Sequence, residues 1–292
     1  MKALTLTILS LCAATAMARE QIDRTLEANP NGTVSVSNTA GKVEVRGWSR
    51  EEVHLSGKLS RGVEELIFER DGEEVVIVVK TSRKRRRGAS ADLEIRVPEN
   101  SSVKVSAVSA DIEVREVIGM QRLQTVSGDV VSEAAAADVE IKTVSGDIEL
   151  QGNDKMGVFE LTSVSGDVEM QNLAGEIAVN TVSGDSTLVD SEFSRARLQS
   201  TSGDIEFHAQ LLESGRLNIE TISGDLDVNF NDMISAKFDI ESFNGVIDNC
   251  FGPEPVKTSK YTPGTSLKFS AGDGSGHVYI KSLNGDLDMC KD

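Results

Sequence analysis

Val126-Ser127-Gly128-Asp129, Val144-Ser145-Gly146-Asp147, Val164-Ser165-Gly166-Asp167, Val182-Ser183-Gly184-Asp185, Thr201-Ser202-Gly203-Asp204 and Ile222-Ser223-Gly224-Asp225 are six copies of one phrase in a chain of 292 residues. Weaker copies stand at Ala40-Gly41-Lys42, Val108-Ser109-Ala110-Asp111, Phe243-Asn244-Gly245-Val246 and Leu283-Asn284-Gly285-Asp286. From Ala110 to Gly245 the turn residues are 18, 18, 20, 18, 19, 21 and 21 positions apart. A period in this range marks a stacked repeat.

Aligned on the turn, the copies fall into columns, and a strand sends alternate side chains to one face. Five before the turn stand Val36, Val105, Leu123, Ile141, Leu161, Val179, Leu198, Ile219, Ile240 and Ile280, all apolar. Seven before it the column is apolar except for Gln121, and two after it the column from Val43 to Leu287 is apolar except for Ser186. Intervening positions such as Glu140, Lys142 and Glu149 are mostly polar. Each repeat therefore reads as strand, Ser-Gly-Asp corner, strand, with an inward face that one repeat cannot bury alone. Stacking equivalent strands about 4.8 Å apart buries that face and pairs the backbone. The predicted fold is all-β: a single-stranded parallel β-helix, or β-solenoid, of roughly nine or ten coils, on the order of 45 Å long. The chirality of parallel crossovers favours a right-handed coil.

Outward from the repeats, residues 1–18 read as a secretory signal: Lys2, an apolar stretch from Ala3 to Cys12, and the small-residue end Ala16-Met17-Ala18. Residues 19–45 are assigned to a first coil, 46–100 to an antiparallel β insertion capping one end, 101–250 to the regular repeats, and 251–292 to a loop excursion and final coil. The cap rests on Leu66-Ile67-Phe68, the Asp71-Gly72 turn, Val75 to Val79, and the strand Leu93 to Val97 stopped by Pro98. No further run approaches the roughly 18 apolar residues of a transmembrane helix. A formal charge of -17 disfavours nucleic acid as a partner.

The Val-Ser-Gly-Asp-Ile/Val ladder, the Leu93 to Pro98 strand and the closing Leu283-Asn284-Gly285-Asp286-Leu287 resemble a bacterial family of exported β-strand-repeat proteins of unknown function, labelled candidate adhesins. The resemblance runs from about Thr33 to Cys290. It implies a parallel β-helix similar to the head domains of some autotransporter adhesins, and it brings no catalytic residues.

Asp111, Asp129, Asp147, Asp167, Asp185, Asp204, Asp225 and Asp286 form one column, and Glu44, Glu113, Glu149, Glu169, Glu206, Asp227, Asp248 and Asp288 form an outward one beside it. Stacked carboxylates repel unless amides or a cation intervene. Two readings follow: a Ca²⁺ ladder, with Asp129, Asp147, Asp167, Asp185, Asp204 and Asp225 as ligands, or corner chemistry in which Asp bonds the backbone and Gly supplies the positive φ. The nonapeptide of calcium-loaded β-rolls is missing, which favours the corner. Arg83-Lys84-Arg85-Arg86-Arg87 could grip anions or be a solvated loop. Export would leave Cys250 and Cys290, each five residues past its turn glycine, to pair as a disulfide if residues 251–276 are an excursion rather than a whole coil. His54, His208 and His277 occupy unrelated repeat positions, and an active site should break a repeat that the acidic columns follow. The sequence thus points to a non-catalytic, exported binding or scaffold module of a bacterial envelope, periplasmic or surface-exposed, with an envelope polymer, glycan or protein as partner. It needs no cofactor unless Ca²⁺ fills the ladder. The alternatives are a Ca²⁺-organised module and a carbohydrate-active β-helix enzyme.

Overall fold

A computed structural model describes residues 20–82, 88–135, 137–230, 234–250, 252–259 and 263–290. The signal-like segment 1–18 and the basic run 83–87 lie outside the described residues. The fold is all-β, and the 23 strands among the described residues form one hydrogen-bonded network.

The repeats build two ladders of parallel strands that meet along the corners. β2 (Thr33–Trp48) and β7 (Ser102–Arg115) each run through a corner and pair in parallel over both arms. The stack continues before the corner through β8 (Gln121–Gln124), β10 (Val139–Ser145), β12 (Met156–Ser165) and β14 (Ala174–Ser183). After the corner it continues through β9 (Val130–Glu133), β11 (Ile148–Gln151) and β13 (Val168–Gln171). β15 (Ser186–Ser202) and β16 (Ile205–Ser223) each carry one arm of either ladder. The inward columns are buried as one continuous cluster.

At the N-terminal end β1 (Glu20–Glu27) lies antiparallel on β3 (Glu52–Leu59) rather than in the first coil, β3 lies antiparallel on β6 (Ala91–Pro98), and β4 (Val63–Asp71) lies antiparallel on β5 (Glu74–Thr81). The insertion is antiparallel within itself. Yet β5 and β6 join β2 in parallel, one on each arm, so they add a layer to both ladders before the antiparallel strands close the end.

The C-terminal end departs from chain order. The sequence stacks the Gly224 and Gly245 corners as neighbours, but the last coil stands between them. β22 (Gly276–Asn284) pairs in parallel with β16 on one side and with β18 (Ala236–Asn244) on the other. β23 (Leu287–Met289) likewise separates β17 (Leu226–Phe230) from β19 (Ile247–Asn249). The described residues 252–259 and 263–275 stand outside the two parallel ladders. Their β21 (Thr265–Ala271) covers β18 antiparallel and carries β20 (Val256–Lys257) outside it, while the Phe238 and Phe269 rings stack 4.4 Å apart. The excursion is long enough to carry the chain over the Gly245 coil and back beneath it. Consequently Cys250 and Cys290 are neighbours, joined by a disulfide with Cα atoms 4.9 Å apart.

Two departures from the apolar columns explain each other. Gln121 and Ser132 sit at inward positions on the two arms that flank the Gly128 corner, both buried. The Ser132 hydroxyl donates to Gln121 Oε1 (2.7 Å), and Gln121 Nε2 donates to the Glu133 carbonyl (2.8 Å). Losing one member strands the other's polar atoms, whereas removing both does not. Gln121→Leu should therefore lower stability by about 2 kcal/mol, and Gln121→Leu with Ser132→Ala by less than half that. Urea unfolding of both variants checks this, and equal losses would contradict the pairing.

Candidate functional site

The corner is set by how closely coils approach. Gly146 has φ 142°, and a Cβ on it would stand 2.2 Å from the Gly128 carbonyl oxygen, so neither the conformation nor the space admits a side chain. The same approach brings the amide of each Asp onto the Asp one coil earlier. The Asp129 N–H donates to Asp111 Oδ1 (3.1 Å), Asp147 to Asp129 (3.1 Å), Asp167 to Asp147 (2.9 Å) and Asp185 to Asp167 (2.8 Å). Asp204 continues to Asp185 (2.8 Å), Asp225 to Asp204 (2.7 Å) and Asp286 to Asp225 (2.8 Å), and the Val246 amide closes the series on Asp286 (2.8 Å). Val246 ends the row because its coil is outermost and no later amide needs an acceptor. All six Asp nominated as Ca²⁺ ligands stand in this row, and one oxygen of each accepts a backbone N–H. A Ca²⁺ ion takes six to eight oxygens, so a cation here would have to draw on the adjacent acidic column as well.

That second column lies on the outer face of the after-corner arms, and its two ends differ electrostatically. Near the N-terminal end Lys42 contacts both Glu44 and Glu113, which holds its ammonium above the usual lysine range. Glu113, held by Lys42 and then by Arg115 (2.6 Å), titrates below the ordinary carboxylate value. Arg46 pairs with Glu116 (2.6 Å) beside them. Toward the C-terminal end the two acidic columns border a groove of about 720 Å³ lined by Asp185, Asp204, Asp225, Asp286, Glu206, Asp227, Asp288 and Asp248. Beside it His208 lies 3.4 Å from both Glu206 and Asp227. The outer face of the before-corner arms is balanced by contrast, through pairs such as Arg122–Glu140 (2.7 Å), Lys142–Glu140 (2.6 Å) and Arg195–Glu176 (3.1 Å).

A third column escaped the sequence reading. Two residues before the turn, Val108, Val126, Val144, Val164, Val182, Ile222, Leu283 and Phe243, in spatial order, are each 42–51% exposed. Thr201 is the polar exception within this run, between Val182 and Ile222. The parity that sends positions seven and five before the turn inward sends this one outward, so the signal was present in the motif. Behind it the residue three before the turn is a buried Thr or Ser from Thr125 to Ser282; Thr125 and Ser163 donate to corner carbonyls. The rod's edge thus carries an apolar stripe and an acidic ladder, separated by the Ser-Gly corner and sharing one repeat.

Other candidates do not converge. His54 bonds Asp23 (2.9 Å) in the cap, His208 lies on β16, and His277 is exposed on β22. Asp248, Cys250 and Cys290 come within 4.8 Å of one another, but both sulfurs are spent in the disulfide. Among the described residues no helix is long and apolar enough to cross a membrane.

The profile of the Toastrack DUF4097 family matches residues 31–289. No functionally curated protein matches the sequence. Among solved structures, a candidate adhesin from Bacteroides fragilis is 13% identical, covers 94% of this chain and 99% of its own, and superposes with a TM-score of 0.40. A candidate lipid-binding protein from Parabacteroides distasonis is 13% identical, with coverage of 93% and 97% and a TM-score of 0.36. A candidate adhesin from the same species is 11% identical, with coverage of 93% and 98% and a TM-score of 0.38.

The Lys42–Glu113–Arg115 cluster has a pH signature. The folded-state pKa of Glu113 is depressed, so its contribution is present above the ordinary glutamate value of 4.5 and is lost as pH falls through the lower folded-state value. Glu113→Gln should reduce stability by about 1 kcal/mol or less at neutral pH, since the pair is partly exposed. That difference should vanish in acid. Urea midpoints of both proteins across this range test it, and a difference unchanged at low pH would assign the effect to packing instead.

Proposed function

Because the chain belongs to the Toastrack DUF4097 family, we propose that it is a non-catalytic, exported β-solenoid of the bacterial cell envelope, acting as an adhesion or scaffold module through its long repetitive edge. The observation that carries this reading is that the chemistry-bearing side chains follow the repeat. The Asp ladder, the outer acidic column and the apolar stripe are laid out by coil spacing, and their carboxylates bond backbone amides or line an open groove. A catalytic centre concentrates unlike groups at one place, whereas a surface that binds by many equal contacts extends them along the rod. Export is supported by the signal-like residues 1–18 and by the Cys250–Cys290 disulfide, which suits an oxidising compartment.

A Ca²⁺-organised module is the second reading, favoured by the convergence of the two acidic columns in the C-terminal groove. Purified mature protein should bind envelope polysaccharides or whole cells, should leave acidic and neutral polysaccharides at full length, and should melt at the same temperature in millimolar Ca²⁺ as in chelator. A shortened polymer would overturn the non-catalytic reading. A large rise in melting temperature with Ca²⁺ would show preferential binding of the ion to the folded state and favour the second. Failure to bind any envelope component would remove the adhesion role.

A further inference from the structure

The edge that carries the proposed binding has a composition that narrows its partner. Contiguous exposed apolar patches are uncommon on monomers and mark interaction surfaces. Here Val108, Val126, Val144, Val164 and Val182 succeed one another on adjacent coils, each 42–50% exposed. Backbone bonds at the same edge, such as Ser127 N–H to the Val108 carbonyl (2.7 Å) and Ser145 N–H to the Val126 carbonyl (2.9 Å), fix them at coil spacing. Three residues further along each coil stands the ladder Asp, exposed and at the same spacing. Its Oδ1 is engaged by an amide, so the row cannot turn away from the edge without breaking the corner. Among the described residues, the ion-paired Arg115, Arg122 and Arg195 lie on other columns, and the one paired cation in register with the ladder is Lys42, beside Asp111 at its N-terminal end, where Glu44 and Glu113 hold it.

On this basis we propose that the edge docks a cationic, amphipathic α-helix lying along the rod, its apolar face on the valine stripe and its Lys or Arg flank on the Asp ladder. The inference rests on the binding-module reading and specifies the partner. Repeat lengths decide in favour of a helix. A helix presents one side chain per turn at about 5.4 Å, against about 4.8 Å per coil, so the mismatch over four steps is about 2.4 Å. A strand laid along the rod repeats its face every ~6.7 Å and would fall out of step by nearly 2 Å at each coil. The five valines span about 19 Å, which a helix of about 13 residues covers. Charge decides against two other occupants: a second copy would bring Asp ladder against Asp ladder, and an anionic membrane would meet the same row.

The probe is a helix-forming peptide of about 18 residues with leucine on one face and lysine on the other. A leucine–glutamate peptide and a lysine peptide without the leucine face serve as controls. Two variants of the full mature chain separate the components. Val144→Thr, Val164→Thr and Val182→Thr together remove the stripe, a change the protein already makes at Thr201. Asp147→Asn, Asp167→Asn and Asp185→Asn together remove charge while keeping an amide-oxygen acceptor for each corner. Unchanged unfolding midpoints confirm that both sets are folded. The leucine–lysine peptide should bind saturably and more weakly at higher salt, and each triple variant should weaken it at least about tenfold. Neither control should match it. The inference is overturned if the stripe variant binds as the parent does, if the lysine-only peptide binds equally, if the parent dimerises through the stripe, or if it prefers lipid vesicles. Retained binding of envelope components by both variants would leave the binding-module reading standing while removing this one. Loss of all binding by the parent would remove both.

Discussion

Where one corner crosses the next, the carbonyl oxygen of one glycine occupies the place in which the following residue would carry its Cβ. The separation would be 2.2 Å at Gly166 over Gly146, 2.3 Å at Gly184 over Gly166 and 2.1 Å at Gly224 over Gly203. Only glycine tolerates both that approach and the left-handed φ that accompanies it. Contact at this distance places each Asp amide on the preceding Asp carboxylate, a charge-assisted bond repeated coil after coil. With the corner pinned, the arms on either side have no freedom to slip. A slip of one residue would turn every inward Ile, Leu and Val to solvent. Register, core and surface columns therefore depend on one tight crossing.

The same constraint explains what the amino-acid pattern revealed. Alternation around the corner identifies the inward columns because both arms are buried on one side, and the same parity carried through the motif marks the exposed valines. Gln121 is visible in the sequence as a polar exception in its column, but its bond to Ser132 joins positions on different arms and needs the coil folded. The cap was legible as antiparallel hairpins. That β5 and β6 also extend the ladders was not, because parallel pairing with β2 is a long-range choice that leaves no local mark. The position of the last coil was hidden for a similar reason. Periodicity shows that Leu283 to Asp286 is a corner, yet every corner is equivalent, and chain order is only the simplest way to stack equivalent units.

That insertion shapes the C-terminal end. Sliding the last coil under the Gly245 coil adds Asp286 and Asp288 to the acidic groove and Leu283 to the apolar stripe, so the stripe and the outer acidic column run on to Phe243 and Asp248 of the outermost coil while the ladder ends at Asp286. The coil lies between two others and is fastened by the disulfide to its outer neighbour. Closing a loop of 40 residues contributes about 4 kcal/mol in the chain-entropy account. The opposite end is stabilised differently, by charge pairing around Lys42, Glu113 and Arg115 and by antiparallel strands. Between these ends the rod offers a long edge of one composition, apolar on one side of the corner and acidic on the other, which is why the functional reading rests on that edge and not on a single pocket.

The central claim is that the ladder carboxylates serve as hydrogen-bond acceptors for the corner rather than as charges collected for a metal. Comparing the unfolding midpoints of Asp167→Asn and Asp167→Ala in chelator tests it most directly. Asparagine keeps an oxygen for the Asp185 amide and relieves repulsion between neighbours, so it should remain within about 0.5 kcal/mol of the parent, whereas alanine should lose about 1–2 kcal/mol. Equal losses for the two, together with a Ca²⁺-dependent stabilisation of the parent that both variants abolish, would contradict the account and make the ladder a metal site.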